Sequence, residues 1–190
     1  DQLRSTIGGT TAEIGGTAIH LDTASIEAKQ AAFTRVHDAL RGLPDDRDVA
    51  RAISSLCAYH GIDEAAISGE LCMSWDELKR FADDPLVTIG AHTISHCNLA
   101  KRSESQALQE MTGSRTRIEA ALQRPAVHLA YPYGDRSAAG PREFAMALAA
   151  GFKTAVTTRP GMVFAENAEH PTALPRISLN GNYQTNRILP

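Results

Sequence analysis

The stretch that decides the fold runs from residue 126 to residue 156 and reads AVHLAYPYGDRSAAGPREFAMALAAGFKTAV. The short apolar runs at its two ends, 126–131 and 152–156, predict β-strands. Between them, Pro141 to Ala150 predicts a helix, with proline in its first turn and Gly151 at its end. A strand, a helix and a second strand in this order indicate a βαβ crossover, so the two strands run parallel.

The same alternation continues on both sides of this stretch. The run 86–90 predicts a strand, and a helix from Ser103 to Leu122 follows it, opened by a capping box with Gln106. Residues 173–178 predict a last strand. These elements together predict an α/β fold with a parallel sheet or barrel over residues 71–190.

Residues 1–70 have a different pattern. Two Gly-Gly pairs between residues 7 and 21 favour a β-hairpin. Apolar positions at helical spacing and capping residues predict three helices, namely 25–43, 49–60 after Asp45, and a short piece capped by Asp63. We expect this part of the chain to form a hairpin-and-helix insertion that caps the α/β part.

Composition limits the classes of function. The chain has 190 residues, of which 43% are hydrophobic and 22% charged, as in ordinary globular proteins. With a net charge of −3 and no dense run of Lys or Arg, nucleic acid is not an expected partner. No apolar run reaches the roughly 18–20 residues that cross a membrane. Three cysteines without a Cys-x-x-Cys pair favour a reducing compartment such as the cytoplasm, with the location left open.

Polar residues and glycines follow each predicted strand, at the carboxyl ends where parallel α/β folds place their active sites. These segments are 91–96, 132–135, 157–158 and 179–181. His92 and His96 are four residues apart, so one helical turn would place both imidazoles within reach of one metal ion. Two ordinary turn histidines are the alternative.

A catalytic zinc ion takes three protein ligands, so the histidine pair needs a third. Asp135 lies at the same predicted edge, where it either touches the metal or its water or serves as a solvated turn residue. Asp83 and Asp84 lie at the opposite end of the strand that delivers His92, and we expect them to end a helix.

Elsewhere, Trp75 could stack on a sugar or be a core residue, and Cys97 could be a nucleophile but lacks an orienting group.

Four segments resemble, in order and spacing, the polysaccharide deacetylases, carbohydrate esterase family 4, which share the nodulation-factor deacetylase domain. The segments are IGAHTISHCNL (89–99), LAYPYGD (129–135), AGFKTAVTT (150–158) and LPRI (174–177). The resemblance covers about residues 71–180. It implies a distorted (β/α) barrel and the metal-dependent removal of acetyl groups from N-acetylated or O-acetylated polysaccharides or oligosaccharides.

The resemblance also implies roles for individual residues. His92 and His96 correspond to the two histidine ligands of the family's divalent metal, for which we expect zinc. Tyr133 corresponds to the residue whose backbone N–H helps to hold the oxyanion, and we expect its neighbours Pro132, Gly134 and Asp135 to contact the acetylated glycan. An N–H donor at that place stabilises the charge that develops on the acetyl oxygen.

The chain also departs from the family pattern. The family's first strand ends in a Phe-Asp-Asp-Gly type motif, which supplies the base and a metal ligand, and this sequence contains no such motif. We therefore expect a C-terminal part of the barrel, incomplete at its N-terminus and inactive or weakly active alone. Ala130 replaces a common arginine. Arg176 stands where a Leu-x-His element supplies the acid, and since guanidinium keeps its proton, we expect it to pair with the missing aspartate or to bind substrate.

Three alternatives remain open. Arg176 is equally consistent with a strand arginine neutralised by a carboxylate. The chain as a whole could be a non-catalytic module that binds glycan or a partner protein. An open barrel also exposes strand edges, which could pair between copies of the chain into a homo-oligomer.

Overall fold

The computed structural model describes residues 8–178. They form two compact units, which divide between Ser74 and Trp75. In the described range no helix is both long and apolar enough to span a bilayer.

The first unit begins with an antiparallel hairpin of β1 (Gly9–Ile14) and β2 (Thr17–Asp22). Gly15 and Gly16 form its two-residue turn with φ of +60° and +79°, because a tight hairpin turn matches the strand twist only with positive φ. The predicted hairpin is confirmed.

Three helices follow the hairpin: α1 (Ile26–Gly42), α2 (Asp46–Tyr59) and α3 (Glu64–Leu71). Each begins after a side chain that accepts a first-turn backbone N–H, from Ser25, Asp45 and Asp63 respectively. The predicted helices are confirmed, although α2 begins three residues earlier than its apolar pattern indicated, directly at its cap. A small core forms where the hairpin packs on α1 and α2, with the buried residues Ala12, Ile14, Leu21 and Ala32.

The second unit has α/β architecture. Its elements are α4 (Trp75–Ala82), α5 (Glu104–Leu122), β3 (His128–Ala130), α6 (Pro141–Ala149), β4 (Thr154–Pro160) and β5 (Leu174–Arg176), with short 3-10 helices over Leu99–Lys101 and Ala165–Glu169. The three strands form a parallel sheet in the order β3, β4, β5. The predicted βαβ crossover is therefore confirmed, as is the capping box that opens α5.

The prediction of a strand over 86–90 is wrong. Only Ala91 pairs with the sheet, through a parallel bridge to Leu129. The preceding residues turn back on Asp84, whose side chain accepts the Leu86 N–H at 2.8 Å and whose carbonyl accepts the Val87 N–H at 3.0 Å. These amides are therefore not available to a neighbouring strand.

The core of the second unit lies between the sheet and its helices. Leu129, Phe152 and Ala155 are buried on the sheet side, and Met111 of α5 and Met146 of α6 pack against them. The sheet of the described residues is open, so they show the predicted α/β fold without a closed barrel. Since the strands are parallel, their carboxyl ends meet at one edge.

Candidate active site

His92 directly follows the residue that bridges to β3, and its ring is anchored to that strand. Its Nδ1 lies 2.7 Å from the carbonyl oxygen of Ala130. Because a carbonyl oxygen only accepts hydrogen bonds, Nδ1 is the donor, and in the neutral imidazole Nε2 therefore keeps its lone pair. Metal-binding histidines commonly have this arrangement, in which a carbonyl fixes the tautomer and the ring orientation.

His96 lies beside His92, with ring centroids 4.8 Å apart and an interplanar angle of 73°. The segment between them is an irregular loop, whereas the spacing alone suggested one helical turn. Thr93 and His96 adopt φ of +64° and +54°, in the left-handed region that reverses the chain. Both imidazoles are exposed, so the pair is open to a ligand from solvent.

Tyr133 completes a cluster of three rings, with its centroid 5.2 Å from that of His96. Tyr133 and Gly134 both have positive φ, +60° and +64°, in a turn that begins after β3. Thr158 of β4 holds this turn: its hydroxyl donates to the Tyr133 carbonyl at 2.6 Å and its N–H to the Gly134 carbonyl at 3.0 Å. Pro132, at the start of the turn, is buried and accepts the Gly134 N–H through its carbonyl at 2.6 Å.

Asp135 shapes the end of the same turn. Its Oδ1 accepts hydrogen bonds from the backbone N–H and the hydroxyl of Ser137, at 2.8 and 2.5 Å. Over residues 8–178 no three His, Cys, Asp or Glu side chains come together as a metal-binding group, so neither Asp135 nor another carboxylate joins the histidine pair.

Arg176 ends β5, and its Nε donates to the carbonyl of Thr157 at 2.7 Å. Within the described part of the chain no carboxylate forms an ion pair with Arg176. The structure of these residues therefore does not show the alternative of a strand arginine neutralised by a carboxylate. The segment 179–181, predicted to follow the last strand, lies outside the described residues.

Two of the weaker candidates, Cys97 and the Asp83–Asp84 pair, have structural explanations. Cys97 is fully buried, and burial, followed by the nearby charge of Glu110, raises the pKa of its thiol, which disfavours a thiolate nucleophile. Asp83 accepts a hydrogen bond from Arg124 at 2.6 Å, and with Asp84 it ends α4 as expected. Trp75 is half-exposed at the first position of α4.

Sequence reasoning missed Glu110. This residue of α5 accepts three hydrogen bonds from the loop between the two histidines. No motif marks it, because a contact between residues 15 and 16 positions apart depends on how α5 lies against that loop.

Known proteins match this chain in family and in fold. The family model for polysaccharide deacetylases matches residues 52–151, just over half of the chain. The solved structure of the Streptococcus pyogenes deacetylase PplD in complex with acetate is similar, with a TM-score of 0.53 and 23% identity, covering 58% of this chain and 46% of that one.

Two further solved structures have lower TM-scores. A polysaccharide deacetylase from Bacillus cereus has a TM-score of 0.48 and 22% identity over 55% of this chain and 32% of its own. The BpsB deacetylase domain from Bordetella bronchiseptica has a TM-score of 0.47 and 17% identity over 55% of this chain and 48% of its own. No curated protein matches.

The chain therefore spans less than half the length of PplD, and at 23% identity the likeness shows a shared fold and no more. The matched range includes both histidines and the Tyr133 turn, which belong to the first two of the four segments that carry the motif resemblance, and it ends before most of the third segment and all of the fourth. The resemblance is confirmed, and the chain belongs to the polysaccharide deacetylase family.

Proposed function

We propose that this chain takes part in the metal-dependent removal of acetyl groups from N-acetylated or O-acetylated polysaccharides or oligosaccharides. The observation that carries the proposal is the histidine pair, with ring centroids 4.8 Å apart and His92 Nδ1 bound to a backbone carbonyl. This arrangement leaves His92 Nε2 as a ligand atom and favours a borderline-soft divalent ion such as zinc.

His92 and His96 would hold the metal. When bound, it would polarise the acetyl carbonyl and lower the pKa of a water molecule. Two protein ligands are fewer than the three that catalytic zinc takes, and residues 8–178 bring no third one to the pair. We infer that a residue outside the described range completes the site, and that without such a ligand the chain has little or no activity.

The chain's own residues would bind and orient the acetyl group. Tyr133 lies next to His96, and by the family resemblance its backbone N–H donates to the oxyanion. The hydrogen bonds from Thr158 to the Tyr133 and Gly134 carbonyls hold that turn, so the Tyr133 N–H would keep its direction during the reaction. Pro132, Gly134 and Asp135 belong to the same turn and would contact the sugar.

Arg176 would bind substrate or a carboxylate from outside the described residues. Arg176 is an exposed residue with a permanently charged guanidinium, so it supplies positive charge at the end of β5 but no acid function. We further propose that the open sheet is part of the family's distorted barrel.

Zinc and cobalt titration with elemental analysis tests the metal site. We expect the chain to bind a divalent ion through these two histidines, and His92→Ala and His96→Ala each to abolish that binding. His170→Ala is the matched control, because His170 is exposed and remote in sequence from the loop. Unchanged zinc binding in His92→Ala would contradict the proposal.

A non-catalytic glycan-binding module is the second candidate, favoured by the missing third ligand within residues 8–178. Acetate release from an acetylated glycan oligomer separates the two, measured on the longest available form of the protein. Glycan binding without acetate release, with or without zinc, would support the module.

A further inference from the structure

We propose that Glu110 is a positioning residue, which holds loop 93–96 and thereby sets the orientation of His96 against His92 and Tyr133. The consequence for metal binding rests on the proposed function, whereas the consequence for the loop does not. Oε2 of Glu110 accepts the N–H groups of Ile94 and Ser95 at 2.8 and 2.9 Å. Its Oε1 accepts the Ser95 hydroxyl at 2.9 Å.

The loop needs such an anchor because two of its residues adopt disfavoured backbone conformations. Thr93 is a buried β-branched residue with φ of +64°, and its Oγ1 has no hydrogen-bond partner in the described part of the chain. His96 has φ of +54°. Conformations of this kind persist only where the surrounding structure imposes them. The three hydrogen bonds of Glu110 lie between these two residues and involve a carboxylate, so they are of the stronger, charge-assisted kind.

A second feature of α5 fits the same loop. Gly113 follows Glu110 by one helical turn, and a Cβ atom at Gly113 would lie 2.5 Å from Cδ1 of Ile94. The side chain of Ile94 therefore packs directly over the helix where Gly113 lacks a side chain. Helix α5 therefore holds the loop in two ways. The carboxylate of Glu110 accepts hydrogen bonds from the loop, and the side chain of Ile94 packs over Gly113.

This support matters for ligand binding because no regular element fixes the distance between the two imidazoles. His92 is anchored to the sheet through Ala130, but His96 lies four residues along an irregular loop. Without Glu110 the loop can relax toward ordinary φ values and move the His96 ring away from its two neighbours. A pair of ligands then loses the separation that a single ion requires.

Two substitutions at one position separate the positioning role from general loss of structure. Glu110→Ala removes every acceptor. Glu110→Gln keeps an oxygen for the two amides, and its NH2 group can donate to the Ser95 hydroxyl, which then serves as the acceptor. Gln109→Ala is the control, because Gln109 is the exposed neighbour on the same helix.

The first measurement uses the metal-free chain. We expect Glu110→Ala to accelerate hydrogen exchange of the Ile94 and Ser95 amides at least about tenfold, since each loses a charge-assisted hydrogen bond. The ring-current shifts between His96 and Tyr133 should collapse in the same variant. Glu110→Gln and Gln109→Ala should retain both. Wild-type exchange rates and ring shifts in Glu110→Ala would overturn the proposal.

The second measurement is zinc affinity, with the visible spectrum of the cobalt-substituted chain as a signature of ligand geometry. Glu110→Ala should weaken zinc binding about 10- to 100-fold and alter the cobalt spectrum, while Glu110→Gln should restore both. Wild-type affinity and spectrum in Glu110→Ala, despite fast amide exchange, would overturn the positioning role. If the wild-type chain binds no zinc, the proposed metal site fails, and the ring shifts still decide whether Glu110 positions His96.

Discussion

Replacing Gly134 by alanine should destabilise the second unit through the turn that carries Tyr133. Gly134 has φ of +64°, and an added Cβ would lie 2.7 Å from the backbone nitrogen of Thr158. The left-handed conformation costs a non-glycine residue about 1–2 kcal/mol. Moving the backbone away from the methyl group adds about 1–3 kcal/mol. We therefore expect Gly134→Ala to lower the free energy of unfolding by about 2–5 kcal/mol.

The steric part of this cost can be isolated with a second glycine of the same unit. Gly151 also has positive φ, +83°, but an added Cβ there would lie 3.9 Å from the nearest atom, Nη1 of Arg115. Gly151→Ala should therefore show only the conformational cost of about 1–2 kcal/mol. Urea unfolding followed by the fluorescence of Trp75, the single tryptophan, reports on this unit. Equal losses in the two variants would refute the close contact between Gly134 and Thr158.

Two further predictions concern buried groups. Tyr131→Phe removes a hydroxyl that donates to the Thr172 carbonyl at 2.8 Å, so unfolding at neutral pH should become easier by about 1 kcal/mol. Burial raises the pKa of Tyr131 above the value of about 10 that it has in the unfolded chain. The free energy of unfolding of the wild type should therefore fall as the pH rises beyond about 10, and it should fall less in Tyr131→Phe. Urea unfolding at several pH values checks both expectations. Cys97, fully buried with a raised pKa, should be alkylated only on unfolding, whereas exposed Cys72 should react in the folded protein, as timed alkylation and mass spectrometry would show.

Local signals in the sequence were sufficient for the helices and for the βαβ crossover. Ser25, Asp45 and Asp63 each cap a helix by a contact within three residues, which a sequence pattern can reveal. The prediction of a strand over 86–90 was wrong because of another local hydrogen-bonding interaction of an aspartate. Its apolar composition suits a strand, but the side chain of Asp84 accepts the Leu86 N–H and the carbonyl of Asp84 accepts the Val87 N–H, and this local competition outweighs composition.

The candidate site was predictable only in part. The motifs identified the histidine pair and Tyr133, and the structure brings these three rings together. They could not identify Glu110 or the fit of Ile94 over Gly113, because both depend on the placement of α5. The helical turn inferred from the four-residue spacing was also wrong, since the same separation arises from a loop with two left-handed residues.

Three anchors at the carboxyl edge of the sheet share one design, in which a side chain is held by the backbone of a neighbouring segment. His92 binds the carbonyl of Ala130, Thr158 binds that of Tyr133, and Arg176 binds that of Thr157. Each hydrogen bond joins one segment to the next along this edge. Arg176 of β5 contacts β4 at Thr157, and the next residue of β4, Thr158, contacts the Tyr133 turn. We therefore expect Arg176 to support the Tyr133 turn through the backbone of β4, in addition to any contact that its charge makes with a substrate. We expect Arg176→Ala to alter both the turn geometry and the local charge, whereas Arg176→Lys keeps the charge and removes the planar guanidinium that holds the Thr157 carbonyl, so that a shift of the Tyr133 ring signals in Arg176→Lys reports on the geometry.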